Sequence, residues 1–365
     1  MKINLILINS IIPSLISCAA TSVNENLPND FARVLPVAET SPVLSRGDSA
    51  DDSVIWINKE NVNSSLIIGT DKNAGIEVYR LDGMRVQTLT LGRLNNVDLR
   101  VLPDDPSWSA IAAASNRTTK TISLFAIGHD GNVNWLSDSE INTGLSDPYG
   151  LCMFASTIGI QIFVNDRDGR YQQWLISRST VSSVEQKYPS FSSKLLREFT
   201  VSSGPEGCVV DDLEERLFVG LEEEGVRYVD TDYQEPAELV SIADIDGEIL
   251  AADVEGLTLY IKDSAGYLVV SSQGNNSYAI YDRMPPFTYR GSFIVGPDLK
   301  AQIDGTQETD GISISSEQEL GSFRKESLWF KMGSIRCRRR DKILSTCLGK
   351  VSLKRSTSNY RIFSF

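Results

Sequence analysis

Oxygen-bearing side chains recur in this chain at one kind of place: beside glycine or a small apolar residue, at the head of a short β-prone run. Asp48, Asp51 and Asp52 precede Ser53-Val54-Ile55-Trp56, and Asn96 and Asp98 flank Val97. Glu206 stands before Gly207-Cys208, Asp253 and Glu255 before Gly256, and Asp304 and Asp310 before Gly305 and Gly311. A set made of carboxylates, amide oxygens and backbone carbonyls is what calcium takes, in shells of six to eight oxygens. Any one acid at a strand end is ordinarily a solubilising turn former. Repetition at the same position makes convergence on a hard cation the better reading, because so many like charges repel without one. Lys72, Arg117 and Arg167 each follow the second run of their unit. The planar arginine fork matches phosphate oxygens, so their shared place points to an anion carrying several phosphates.

Distant acids meet only if the elements carrying them are arranged in a ring. The runs open near Asp51, Asn95, Pro148, Glu206, Asp253 and Asp310, in steps of roughly 50 residues, the period of propeller blades. Each opening run is followed by further short runs rich in β-branched and aromatic residues. Examples are Leu66-Ile67-Ile68 then Ile76-Glu77-Val78-Tyr79, and Leu217-Phe218-Val219 then Val226-Arg227-Tyr228-Val229. Gly, Asn and Asp punctuate them, as in Leu81-Asp82-Gly83 and His129-Asp130-Gly131, which are strand and tight-turn signals. The expected fold is all-β: a six-bladed β-propeller of antiparallel strands, its last blade incomplete. A propeller gathers its inner-strand starts at one mouth of the central channel. Val34–Glu39 is the expected N-terminal strand closing the last blade.

Composition removes several chemistries. The chain has 365 residues, 41% hydrophobic, with one histidine, His129, inside a turn. Histidine phosphatases, Ser-His-Asp hydrolases and histidine zinc sites therefore lack their central residue. No cysteine is followed at six residues by arginine, and no phosphate-binding glycine loop of the G-x-x-x-x-G-K-[ST] type occurs. Residues 321–365 carry 12 Lys and Arg against 2 Asp and Glu, while the whole chain stands at −13. The body before them is strongly acidic and unsuited to nucleic acid.

Asp48-Ser49-Ala50-Asp51-Asp52, Leu94-Asn95-Asn96-Val97-Asp98, Asp147-Pro148-Tyr149-Gly150, Glu206-Gly207-Cys208 and Asp253-Val254-Glu255-Gly256-Leu257 resemble, in order, segments of the β-propeller phytases. Ser271-Ser272-Gln273-Gly274-Asn275-Asn276-Ser277-Tyr278 is the most specific stretch, and Asp304-Gly305-Thr306 with Thr309-Asp310-Gly311 continues the match. The resemblance covers about residues 34 to 315. It implies a calcium-dependent, 3-phytase-type hydrolase of myo-inositol hexakisphosphate, acting on the calcium complex of the substrate through a calcium-held water. Carried over by position, it implies catalytic calcium ions on Asp51, Asp52, Glu206, Asp253, Glu255 and Gln273 with the carbonyl of Val97, and Glu222 on the same rim. It implies phosphate contacts at Lys72, Arg117, Tyr149 and Arg167, and scaffold calcium at Asp304 and Asp310. Asn73 stands where the family often has a second lysine, which implies one weaker phosphate contact. The other readings are a six-bladed lactonase or phosphotriesterase needing no ring of cations, and an inactive propeller that binds calcium or polyphosphate.

The expected organisation is a signal peptide over 1–17, a linker over 18–33, a propeller over 34–320 and a divergent basic tail over 321–365. Met1-Lys2 and the apolar run to Ile16 end in Leu15-Ile16-Ser17-Cys18, which resembles a bacterial lipobox. That resemblance implies export, cleavage before Cys18 and diacylation of its thiol, and Ala19 favours the outer membrane. An ordinary signal peptide is the alternative, and a monomer is expected. Cys152 and Cys208 fall on adjacent expected inner strands, as a disulfide or as two buried thiols. After about Leu320 the family's closing strands are missing. Codons compatible with Phe323–Ser334, read in a shifted frame, give PKGIFVVQDGF, so a frameshift is the expected origin of the tail.

Overall fold

The computed structural model describes residues 31–178, 190–202 and 204–316 in full, and the backbone alone of residues 329–335, 343–347, 352–356 and 359–363. Helix is confined to three short 3-10 turns among these residues. Second strands such as Leu66–Asp71 and Trp108–Asn116 are buried along nearly their whole length. They read as continuous apolar runs because a neighbouring blade covers each face. Fourth strands such as Arg85–Thr90 and Phe191–Thr200 are half-buried or exposed.

Five sheets of four or five strands make the full blades. Blade 1 is Ala50–Trp56, Leu66–Asp71, Gly75–Arg80 and Arg85–Thr90; blade 2 is built on Leu94–Val101, Trp108–Asn116 and Thr121–Gly128. Blade 3 is Pro148–Ser156, Gly159–Asp166, Arg170–Arg178 and Phe191–Thr200, and blade 4 is Pro205–Asp211, Arg216–Leu221, Gly225–Asp230 and Val240–Asp244. Blade 5 is Val254–Lys262, Ala265–Ser272, Ser277–Asp282 and Tyr289–Val295. The sixth place is taken by a three-stranded sheet of Ile312–Ser315, Trp329–Ile335 and Ile343–Cys347. Its first strand packs on the inner strands of both blade 5 and blade 1, so the ring closes. The result is an all-β propeller with five full blades and an incomplete sixth.

Apolar side chains fill the wedges between blades, as expected where sheet faces pack on one another. Ile68, Ile76 and Val78 of blade 1 pack against Ala112, Phe125 and Ile127 of blade 2. Phe218 of blade 4 joins Leu257, Leu268 and Val270 of blade 5. Each fully buried side chain of this kind stabilises the fold by roughly 1.5–3 kcal/mol. A disulfide, Cys152–Cys208, ties the inner strands of blades 3 and 4.

The N-terminal strand is shorter than expected and lies elsewhere. Ala32–Val34 pairs in parallel with Tyr289–Val295, the outer strand of blade 5, rather than closing the sixth blade. Val34 is fully buried there against Val269, Tyr278, Phe293 and Ile312. An outer strand presents free hydrogen-bonding groups along its edge, and blade 5 offers both that edge and an apolar wedge.

Candidate functional site

Every full blade interrupts its innermost ladder at the same point. The register shifts between Ala50 and Ser53, Leu94 and Val97, Pro148 and Leu151, Pro205 and Cys208, and Val254 and Leu257. The residues inside these bulges are Asp51-Asp52, Asn95-Asn96, Tyr149-Gly150, Glu206-Gly207 and Glu255-Gly256. A bulge frees residues from the ladder and re-aims their side chains, here into the mouth of the channel. Glycine is required beside the acid because the blades touch there. A Cβ on Gly150 would lie 1.9 Å from the Glu206 carbonyl oxygen, and one on Gly207 2.0 Å from that of Glu255. The acid of one blade thus rests on the glycine of the blade before it.

The acids so aimed are buried: Asp51 is 1% exposed, and Asp52, Glu206, Glu255 and Asp310 are each below 9%. Lys72 Nζ sits among three of the site's carboxylates, 2.8 Å from Asp51, 3.3 Å from Asp48 and 3.7 Å from Asp310. Burial pulls its ammonium down, but Asp51 and Asp310 outweigh it and hold the group charged. Gln273 Nε2 donates to Asp310 at 2.8 Å and to Glu255 at 3.3 Å. Glu206 accepts from Tyr149 Oη at 2.7 Å and from Asn95 Nδ2 at 2.9 Å. Asp52 accepts from the Val97 amide at 3.1 Å and from Asn96 Nδ2 at 3.3 Å. Below this level Asp52, Asn96 and Val97 line a channel cavity of about 350 Å³.

One ammonium among so many acids leaves them short of positive charge. Burial drives the Asp51 carboxyl up to about 6 against the pull of Lys72, with Glu206 adding to the rise. Burial likewise pushes Asp52 up to about 8, and burial with Glu206 and Asp253 pushes Glu222 up to about 7. Glu255, buried and facing Glu206 and Asp310, is raised well above the usual carboxylate range. So is Asp310, buried among Asp51, Glu206 and Glu308.

The loops after the second strands supply the rest of the rim. Lys72, Arg117, Arg167, Glu222 and Gln273 each stand directly after the second strand of blades 1 to 5. Blades 1 to 3 therefore present cations at the position where blades 4 and 5 present an acid and an amide. The Arg167 and Arg117 guanidiniums lie 4.5 and 5.1 Å from the centre of the Tyr149 ring, within cation–π range. Tyr149 joins the two halves: its ring meets the arginines and its hydroxyl meets Glu206.

The structure brings most of the expected residues together and sets a few apart. Asp51, Asp52, Val97, Glu206, Glu255, Gln273 and Asp310 surround the mouth, with Lys72, Arg117, Tyr149, Arg167 and Glu222 on its rim. Asp253 is beside them, where burial, Glu223 and Glu206 raise its carboxyl. Asp310 belongs to the mouth, whereas Asp304 is exposed and stands near Glu39, which burial and Asp304 together push up. Asp98 turns away to Arg100 Nη1 at 2.9 Å and to the Met153 amide. Asn73 is spent on Ser49, donating to its hydroxyl at 3.0 Å. Cys18 lies outside the described residues. Asn95 and Asp147 also belong to the site without being among the residues that the sequence singles out; the signal for them is their place beside Asn96 and two residues before Tyr149.

An all-oxygen donor set fits a hard cation, and the raised carboxyls mark a place short of positive charge. Among the described residues, though, no three Asp, Glu, His or Cys side chains form a ready-made metal cage. The acids of the mouth are turned to Lys72, Gln273 and Tyr149 instead.

Fold and site together define a β-propeller whose channel mouth gathers carboxylates and cations from successive blades. The sequence matches the phytase family over residues 4–323, and the chain belongs to that family. It is 36% identical over 311 residues to the 3-phytase of Bacillus subtilis (strain 168), an alignment covering 82% of this chain and 79% of that one. Among solved structures, a functionally unknown protein from Desulfotomaculum acetoxidans is 12% identical, with a TM-score of 0.44 over 67% of this chain and 75% of that one. BBS1N in complex with ARL6DN is 10% identical, with a TM-score of 0.47 over 84% and 79%. Likenesses at that level carry no argument about function.

Proposed function

We propose that this enzyme hydrolyses phytate in a calcium-dependent reaction, cleaving a phosphomonoester with water and releasing inorganic phosphate. The observation that carries the reading is the divided mouth: buried carboxylates from blades 1, 4 and 5, and Asp310 entering the sixth, stand beside three cations from blades 1 to 3. Asp51, Asp52, Glu206, Asp253, Glu255 and Gln273, with the Val97 carbonyl, are the groups that would hold calcium. When bound, calcium supplies charge neutralisation and the hold on the hydrolytic water. Arg117 and Arg167 receive substrate phosphates through charge-assisted hydrogen bonds, and Tyr149 keeps them in place with its ring. Lys72, released from Asp51 and Asp310, joins them. Seating one phosphate on these cations orients its neighbour toward the acids. Glu222 stands on the same rim with a carboxyl able to exchange a proton near neutrality.

The test is phosphate release from phytate by the purified chain as calcium is titrated. Activity is expected to rise from zero in chelator; turnover that survives complete chelation overturns the calcium requirement, and binding without turnover overturns the reaction. We also propose Asp304 as a holder of scaffold calcium, the chain as a monomer, and export with a lipid anchor at Cys18. Metabolic labelling with palmitate, lost in Cys18→Ser, checks the anchor; unlabelled wild-type protein removes it. Among the described residues no helix is long and apolar enough to cross a membrane.

A further inference from the structure

Asp147 lies in the loop entering the inner strand of blade 3, two residues before Tyr149. Its carboxylate accepts side-on from Arg117 of blade 2, at 2.8 Å from Nε and 2.6 Å from Nη2. Arg117 Nη1 donates to Asn95 Oδ1 at 3.1 Å. A guanidinium has five N–H donors. Three are engaged, leaving one on each terminal nitrogen for a ligand.

The loop that carries Asp147 is itself anchored. Asp166, 1% exposed, accepts from the Ser146 amide at 2.7 Å, the Ser146 hydroxyl at 2.9 Å and the Asp147 amide at 3.2 Å. Asp166 immediately precedes Arg167, so one buried carboxylate sets both the loop holding Arg117 and the start of the loop carrying Arg167. On the other side, the Tyr149 carbonyl accepts from Ser115 Oγ at 2.5 Å, two residues before Arg117. Asp147 is thus part of a braced frame rather than a loose surface acid.

We propose that Asp147 is a positioning residue for substrate: it locks the Arg117 guanidinium beside Tyr149 in advance, keeping two N–H donors available to a phosphate. The inference rests on the reading of Arg117 as a phosphate-binding residue. Its force is that simple electrostatics gives the opposite expectation. A carboxylate beside a polyanion site repels the ligand, so an idle Asp147 would weaken binding and its removal would tighten it. A pre-set arginine instead loses no conformational freedom when the phosphate arrives. Asparagine is the informative replacement. It keeps the size, but turns one of the two acceptors into a donor and so breaks the side-on pair.

Steady-state phytate hydrolysis at saturating calcium would be measured for wild type, Asp147→Asn, Asp147→Glu, Arg117→Ala and the Asp147→Asn/Arg117→Ala double variant. Asp147→Asn is expected to raise KM about tenfold with kcat within about twofold, the pattern of a lost interaction common to ground and transition states. Asp147→Glu recovers part of that loss. In the Arg117→Ala background, Asp147→Asn adds less than about twofold, because the residue acts through the arginine. An unchanged or lowered KM overturns the proposal, and so does an equal effect with and without Arg117. A wild-type chain that releases no phosphate defeats the functional reading, and calorimetric binding of inorganic triphosphate then decides this point separately. About tenfold weaker binding by Asp147→Asn supports the role, and equal or tighter binding overturns it.

Discussion

Asp51 and Asp52 differ in what they do although they adjoin in sequence. Asp51 takes the Lys72 ammonium, and Asp52 takes the Val97 amide and faces down the channel. Both carboxyls are raised by burial, to about 6 and about 8. A carboxyl raised in the folded state contributes stability while protonated and loses it as pH climbs through its folded value. Metal-free protein is therefore expected to show a falling thermal midpoint as pH rises from about 4 to about 8, between the ordinary carboxylate value and the raised ones. Saturating calcium should flatten or reverse that fall, since cation binding favours the ionised form. A midpoint independent of pH in chelator would falsify this picture of the acids. At the same scale, Glu255→Gln is expected to lower phosphate release at least about 100-fold, the size of effect seen when a preorganised charge is removed. Calcium affinity, measured by calorimetry, should fall with it.

A repeated bulge, more than any one side chain, makes the site. It explains why acid and glycine occur as pairs: the acid must leave the ladder, and the next blade's carbonyl comes too close for a Cβ. Gly207→Ala is expected to cost about 1–3 kcal/mol, read as a lower urea midpoint, with loss of activity because Glu206 and Glu255 both shift. The pairs Glu206-Gly207, Glu255-Gly256 and Asp310-Gly311 were legible in the sequence because glycine is demanded by the backbone. Asn95 and Asp147 were not, because a polar residue at a strand start or in a loop looks the same whether or not its partner lies on another blade. The disulfide is a further cross-blade link, closing 56 residues between blades 3 and 4. Replacing both Cys152 and Cys208 by Ala is expected to remove roughly 2–4 kcal/mol of stability, measured by urea unfolding. A change under about 0.5 kcal/mol would show that packing alone holds these strands.

Closure governs the whole molecule. The ring is completed by Ile312–Ser315 between blades 5 and 1, while Ala32–Val34 extends blade 5 instead of pairing within the sixth sheet. Val34 and Ile312 share one apolar cluster, so the N-terminal strand supports closure from outside the last blade. Val34→Asp buries a charge in that cluster and is expected to lower the thermal midpoint by at least about 5 °C. An unaltered midpoint would mean that the added strand contributes nothing. The family match ends at residue 323, close to where the acidic body gives way to the basic tail. Restoring the alternative frame beyond Leu320 is expected to raise thermal stability, more so with calcium, and comparing the two proteins by calorimetry decides it.

Strand content, the repeat, the acid–glycine pairs and the three rim cations followed from sequence alone. Each reflects a local constraint: alternation for a sheet face, glycine for close backbone approach, charge at a loop tip. The meeting of Asn95 with Glu206, the engagement of Lys72 with Asp51 and Asp310, the bracing of Arg117 by Asp147 and the place of the N-terminal strand were decided only by the tertiary structure. Those depend on which blades face one another across the channel and which edge remains unpaired. Both are properties of ring closure, which no stretch of residues encodes by itself.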